Sequence, residues 1–278
     1  MKNIYIFTLG VICLAVCEKQ AVIAETPQTS LQKAHDKPNV IFVLMDDMGY
    51  SDIGCYGAKK VETPNIDQMA AEGLQFTNFY TAASICSPSR AAFLTGVYPQ
   101  RSGLYMGINR NREAHWFLGL NPDEITIAEQ FKKQGYATSM IGKWHLGSEE
   151  KFSYFHQGFD HYYGAPENMG HDAAFYDGKK KIFNHTPLEK LNKLYTARVV
   201  QQIETLKDEP FFIYYAHNYP HTPYKAGANF KGSSKDGVAW RCDPGTRLGH
   251  RRDAEGTPVQ RNPREHPRHL HFGQRPHE

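Results

Sequence analysis

Cysteine is scarce in this chain, neither sign of charge dominates, and no apolar run is long enough to cross a bilayer comfortably. Five cysteines in 278 residues cannot form the dense framework of a disulfide-stapled scaffold, so the fold must rest on a packed core. A formal net charge of +3 leaves no electrostatic footprint for nucleic acid. The apolar stretch Ile4 to Val16 is too short for a membrane span. With Lys2 ahead of it and Val22-Ile23-Ala24 behind, it reads as a secretory signal over 1–24, cut after Ala24 and followed by a polar linker over 25–37. Cys17 offers a lipid-anchor reading, but Val16 before it is bulky for such a signal. No stable membrane span is expected after cleavage, and the mature chain is expected outside the cytoplasm, periplasmic or secreted. Apolar periodicity is also missing from about Val238 onward, where Arg, His, Pro and Gly crowd together. Such a composition cannot build a core, so 238–278 is expected to be a disordered tail.

What is present alternates between strand and helix signals. Asn39 to Leu44 and Phe211 to Tyr215 are short apolar runs, as expected of strands buried on both faces, and Ala137 to Ile141 reads the same way. Gln75 to Tyr80 alternates and predicts a further strand. Thr63-Pro64 opens a helix that Gly73 closes. Thr126 and Glu129 have the spacing of a capping box before a helix ending near Gly135. Leu191, Leu194, Tyr195, Val199, Ile203 and Leu206 mark one face of an amphipathic helix. The class is therefore α/β, with a mostly parallel sheet flanked by helices. In such sheets ligands bind beyond the carboxyl ends of the strands. Asp46-Asp47, Lys143 with His145, and His221 each lie just past a strand end.

Each of these groups has a bland reading and a chemical one. Asp46-Asp47 is either an exposed turn or a pair of hard oxygen ligands for a divalent cation. Lys143 and His145 alternate along an expected extended segment, so both can point one way, the first neutralising an anionic oxygen and the second moving a proton. His221 sits between Pro220 and Pro223, which stiffen its loop. Cys86 precedes Pro88 in a predicted helix start that exits at Gly96, with Arg90 one turn further in. A helix N-terminus with an arginine close by favours an anion. A free Cys86 is otherwise an inert core thiol.

Cys86-Ser87-Pro88-Ser89-Arg90 resembles the C-x-P-x-R signature of the formylglycine-dependent sulfatases, a family of the alkaline phosphatase superfamily. Asn39 to Gly57, Thr63-Pro64-Asn65-Ile66-Asp67, Gly142-Lys143-Trp144-His145 and Pro220-His221-Thr222-Pro223 are similar to further motifs of that family, in its order. The likeness covers about 38–237. It implies a sulfuric ester hydrolase acting on aryl sulfates or on a sulfated carbohydrate. Cys86 would be oxidised to formylglycine by a formylglycine-generating or other sulfatase-maturing enzyme. Asp46, Asp47 and the converted Cys86 would bind Ca²⁺ or Mg²⁺. Arg90 would hold the formylglycine, Lys143 and His221 would contact sulfate or leaving-group oxygens, and His145 would help expel sulfate. Substrate choice would lie in loops such as Met106 to Trp116 and Lys151 to His171. The alternatives are a phosphoester hydrolase of the same superfamily, which would more often carry Ser or Thr at position 86, and a non-catalytic fragment.

The family pattern continues after His221 with a helix and a strand ending in Asp-Asn-Gly, whose Asp and Asn complete the metal site, and a later lysine. None of these stands in this chain. A frameshift is the expected origin of the tail, ahead of a natural disordered one: read one base downstream, synonymous codons for Arg241 to Pro276 are compatible with a helix, a turn and a β-rich run ending in Asp-Asn-Gly. The chain as written is therefore expected to bind metal weakly and to have little activity.

Overall fold

The computed structural model describes residues 37–59, 61–109, 115, 117–167, 173–223, 225 and 269–271. The signal over 1–24, nearly all of the linker, and the tail apart from 269–271 lie outside the described residues, as do parts of the two loops expected to set substrate choice.

Seven strands form one sheet: β1 (Val40–Asp46), β2 (Ala137–Gly142), β3 (His161–Gly164), β4 (Phe175–Asp177), β5 (Lys180–Phe183), β6 (Phe211–Pro220) and β7 (His269–His271). Their spatial order is β5-β4-β3-β2-β6-β1-β7. β3, β2, β6, β1 and β7 run parallel, and β4 and β5 close one side as antiparallel neighbours. The helices are α1 (Pro64–Glu72), α2 (Cys86–Thr95), α3 (Pro99–Ser102), α4 (Ile127–Lys133) and α5 (Leu191–Thr205). This is the expected α/β class with a mostly parallel sheet.

Alternation along β6 divides the core. Phe212, Tyr214 and Ala216 join Leu44, Met140, Trp144 and Phe159 on one face, where Ala91 and Leu94 of α2 and Ala128 of α4 pack. Phe211, Ile213 and Tyr215 join Val43, Ile141 and Tyr163 on the other, covered by Leu191, Tyr195 and Val199 of α5. Helices on both faces explain why β1, β2 and β6 read as continuous apolar runs. Phe93 of α2 stacks on Phe42 of β1 with centroids 3.7 Å apart, a pairing that contributes about 1 kcal/mol beyond burial. The expected capping box of α4 is present, with Thr126 and Glu129 each accepting from the other's backbone N–H.

Two expectations fail. Gln75 to Tyr80 is not a strand: every residue from 73 to 80 is exposed and no strand pairs with the segment among the described residues. It is held instead through side chains, by Tyr50 Oη against Phe79, Tyr56 Oη on the Phe76 carbonyl and Gln75 Nε2 on the Cys55 carbonyl. Alternation describes a strand's faces but does not supply its partner. The segment carrying Lys143 and His145 is also not extended, because His145 has φ 58°.

Candidate active site

The carboxyl ends of β1, β2 and β6 bring Asp46, Lys143 and the residues after Pro220 to one edge of the sheet, and the start of α2 adds Cys86 and Arg90. Gly142 makes the approach possible. Its φ is +115°, and a Cβ there would meet the Ala216 carbonyl oxygen at 1.9 Å. Without one, Lys143 N donates to that oxygen at 2.8 Å. Trp144 then turns into the core, its indole donating to the Phe152 carbonyl at 3.0 Å. The left-handed turn at His145 brings its ring back towards α2.

Asp46 is clamped between two cations. Lys143 Nζ donates to its Oδ2 at 2.7 Å and Arg90 Nη2 lies 3.3 Å from its Oδ1. Arg90 Nη1 also donates to the Lys143 carbonyl at 2.7 Å. All three side chains are buried. Burial alone would raise the Asp46 carboxyl, but Lys143 and Arg90 outweigh it and hold the group far below the usual carboxylate range. Asp46 in turn raises Arg90 further, against burial.

The ring of His145 connects α2 to the segment around Ile108. Its Nε2 is 2.8 Å from the Ile108 carbonyl oxygen, and its Nδ1 is 3.1 Å from Cys86 Sγ and 3.3 Å from Ser87 Oγ. A carbonyl only accepts, so Nε2 carries the proton and Nδ1 is the acceptor. Burial, then Lys143 and Arg90, hold the His145 pKa well below its ordinary value, and the ring is neutral at pH 7. Cys86 is half-buried and unpaired. The arrangement places a proton acceptor beside residue 86, within a site that carries two buried cations.

Asp47 and His221 form the rim. Asp47 has φ 69°, and His221 Nε2 lies 3.8 Å from its Oδ2. Backbone strain of this kind at Asp47 and His145 is common at functional sites. His221 follows a bulge in β6, where 217–219 lie opposite the single residue Met45 between the pairs Leu44–Ala216 and Asp46–Pro220. His217 Nδ1 accepts from Tyr219 N at 2.8 Å and braces this bulge. Burial pushes the His217 pKa down to about 3. Tyr195 Oη donates to Asn218 Oδ1 at 2.8 Å. Sequence reasoning missed the bulge and its bracing, and only the crowding of His, Asn and Tyr before Pro220 hinted at it.

Asp46 and Asp47 do not by themselves fit the expected cation. Both Asp46 oxygens face Lys143 and Arg90, and two neighbouring carboxylates fall short of the six to eight oxygens Ca²⁺ takes. Among the described residues no group of three or more His, Cys, Asp or Glu is gathered as a metal site.

The carboxyl edge of this largely parallel α/β sheet thus gathers a cysteine, two buried cations and a neutral histidine. Comparison with known proteins gives this arrangement its class. The profile of the Sulfatase family matches residues 38–242, and the chain belongs to that family. Mouse N-acetylgalactosamine-6-sulfatase is 37% identical over 231 residues, covering 73% of this chain and 44% of its own length. Human arylsulfatase A is 37% identical over 230 residues, 72% of this chain and 44% of its own. A solved structure described as Ps i-CgsB in complex with k-i-k-neocarrahexaose superposes with TM-score 0.67 at 26% identity, covering 76% of this chain and 53% of that one. The chain thus spans less than half the length of these curated relatives. Among the described residues no helix is long and apolar enough to cross a membrane.

Proposed function

We propose that this chain is the catalytic-nucleophile portion of an exported sulfuric ester hydrolase acting on a sulfated carbohydrate, with Cys86 converted to formylglycine by a sulfatase-maturing enzyme. The observation that carries this reading is the 3.1 Å approach of Cys86 Sγ to the unprotonated Nδ1 of His145, at the start of a helix whose Arg90 is buried beside Lys143. The sugar substrate is supported by the hexosamine sulfate in the name of the mouse relative and by the oligosaccharide bound in the solved structure.

Formylglycine, as its hydrate, would supply one oxygen to attack sulfur as the ester alcohol leaves, and a second hydroxyl whose deprotonation re-forms the aldehyde and expels sulfate. The chain's own residues do the rest. Nδ1 of His145 takes a proton from the group at position 86. Lys143 and Arg90 set a positive field for the ester's anionic oxygens. His221, at the rim, faces the leaving-group side. Asp46 and Asp47 remain the expected holders of Ca²⁺ or Mg²⁺, but as they stand they make an open site, so no step is assigned to the cation.

The tail reading belongs to the same proposal. β7 pairs His271 with Leu44. In the reading frame one base downstream, the Asp-Asn pair falls two and three positions past His271, as Asp46-Asp47 falls two and three past Leu44. That correspondence supports a frameshift as the origin of the tail.

The test compares two polypeptides, each produced with a formylglycine-generating enzyme: the chain as given, and the product of the shifted frame extended to its stop codon. Mass spectrometry of the Cys86 peptide should show the thiol-to-aldehyde mass loss in both. Sulfate release from sulfated hexosamines should be strong only in the second and absent from its Cys86→Ala variant. Phosphate release exceeding sulfate release would overturn the assignment. A stop codon early in the shifted frame would end the frameshift reading alone.

A further inference from the structure

We propose that Ser87 is a positioning residue that, together with the peptide of Ile108, selects the His145 tautomer whose unprotonated Nδ1 is an acceptor shared between the Ser87 hydroxyl and position 86. The role rests on the reading of Cys86 as the nucleophile's precursor, whereas the geometry stands without it.

The segment around Ile108 touches this histidine twice. Its carbonyl accepts from Nε2 at 2.8 Å. Its N–H donates to Ser87 Oγ at 3.2 Å. Ser87 Oγ then lies 3.3 Å from Nδ1. Ser87, the Ile108 peptide and the imidazole thus close a ring. Within it every direction is forced: the carbonyl can only accept and the amide can only donate. That leaves the serine hydroxyl hydrogen for Nδ1.

Ser87 is fully buried, with Ile108 6% and His145 4% exposed, so solvent does not compete for these bonds. Flipping the tautomer would set Nε2 and the Ile108 carbonyl acceptor to acceptor and turn an Nδ1 proton towards Cys86 and Ser87. Removing the Ser87 hydroxyl would leave the Ile108 N–H buried without a partner, a costly state that favours displacement of the peptide. The peptide's carbonyl, which holds Nε2, would move with it. Ser87 therefore acts through Ile108 as well as directly. It occupies a variable position of the Cys-x-Pro-x-Arg pattern, so its replacement leaves Cys86, Pro88 and Arg90 in place.

The test reads nitrogen resonances of histidine in the ¹⁵N-labelled chain, with no assay of activity. His145 is assigned by the signals that vanish in a His145→Gln chain. The unmodified chain should show His145 as the Nε2–H form. In Ser87→Ala the two ring nitrogens should move towards each other as tautomers mix, and the Ile108 amide should exchange about tenfold faster, as expected for one lost hydrogen bond. Ser87→Thr, which keeps the hydroxyl, should restore both signals. An Nδ1–H pattern in the unmodified chain would overturn the proposal whether or not the variants fold. So would an unchanged pattern in Ser87→Ala, or a failure of Ser87→Thr to restore it. None of these outcomes depends on sulfate release, which tests the proposed function separately.

Discussion

Two stretches of this chain carry similar residues to opposite ends. Phe211 to Ala216 is apolar and aromatic, and each of its residues is at most 2% exposed. Leu74 to Tyr80 has the same character, yet Leu74 is 89% exposed and Tyr80 67%. The first lies between β1 and β2 with helices on both faces. The second meets neither a strand nor a covering helix among the described residues. Burial is thus decided by neighbours distant in sequence as much as by local pattern. An apolar extended segment of this kind is also a place where chains associate.

Substitutions can break this contrast, and the largest effect is expected beside β6. Lys143→Met would leave Asp46 buried with one cation instead of two. Breaking such a pair should cost about 3–5 kcal/mol in urea unfolding, and a loss near zero would mean that water reaches Asp46. Gly142→Ala would press a methyl group against the Ala216 carbonyl. A loss of about 3 kcal/mol is expected from that strained position, again by urea unfolding.

A smaller effect depends on pH. Burial would raise the Asp160 carboxyl, but hydrogen bonds from Lys132 and Thr138 prevail and hold it below its ordinary value. Its stabilisation is therefore present above about pH 4, the unfolded carboxylate value, and is lost as pH falls through the lower folded value. Asp160→Asn should be less stable than the parent at neutral pH, and the gap should narrow on acidification. A constant gap would refute the assignment. Least of all, Leu74→Ser with Phe76→Ser should shift stability by no more than about 0.5 kcal/mol each, while reducing binding of a hydrophobic dye. A large loss would show that the exposed segment is packed in solution.

The sequence was most readable where residues next to each other do the work. The strands β1, β2 and β6, the capping box at Thr126 and the helix from Cys86 to Thr95 all follow from local pattern. Strand ends pointed Asp46, Asp47, Lys143, His145 and His221 to one sheet edge, whereas Cys86 and Arg90, at a helix start, joined them only through the family resemblance. The wiring between them was not legible. Lys143 and Arg90 meet on one carboxylate, and His145 is held by the backbone of Ile108, whose peptide atoms are the same in any sequence. The left-handed turns at Asp47 and His145 were also hidden, because neither residue type signals that conformation as glycine does. The exposed Gln75 to Tyr80 shows the reverse error, a local pattern without its tertiary counterpart.

The position of β6 also bears on timing. Asp46 ends β1 and Lys143 follows β2, two strands that do not touch, since β6 lies between them in the sheet. As the chain is synthesised, residues 40–46, 86–95 and 137–147 emerge well before 211–220. Until that last strand slots into place, the clamp on Asp46 has no frame to form on. Synthesis therefore leaves an interval in which Cys86 and Arg90 are already made while the frame that holds Arg90 against Asp46 is still incomplete.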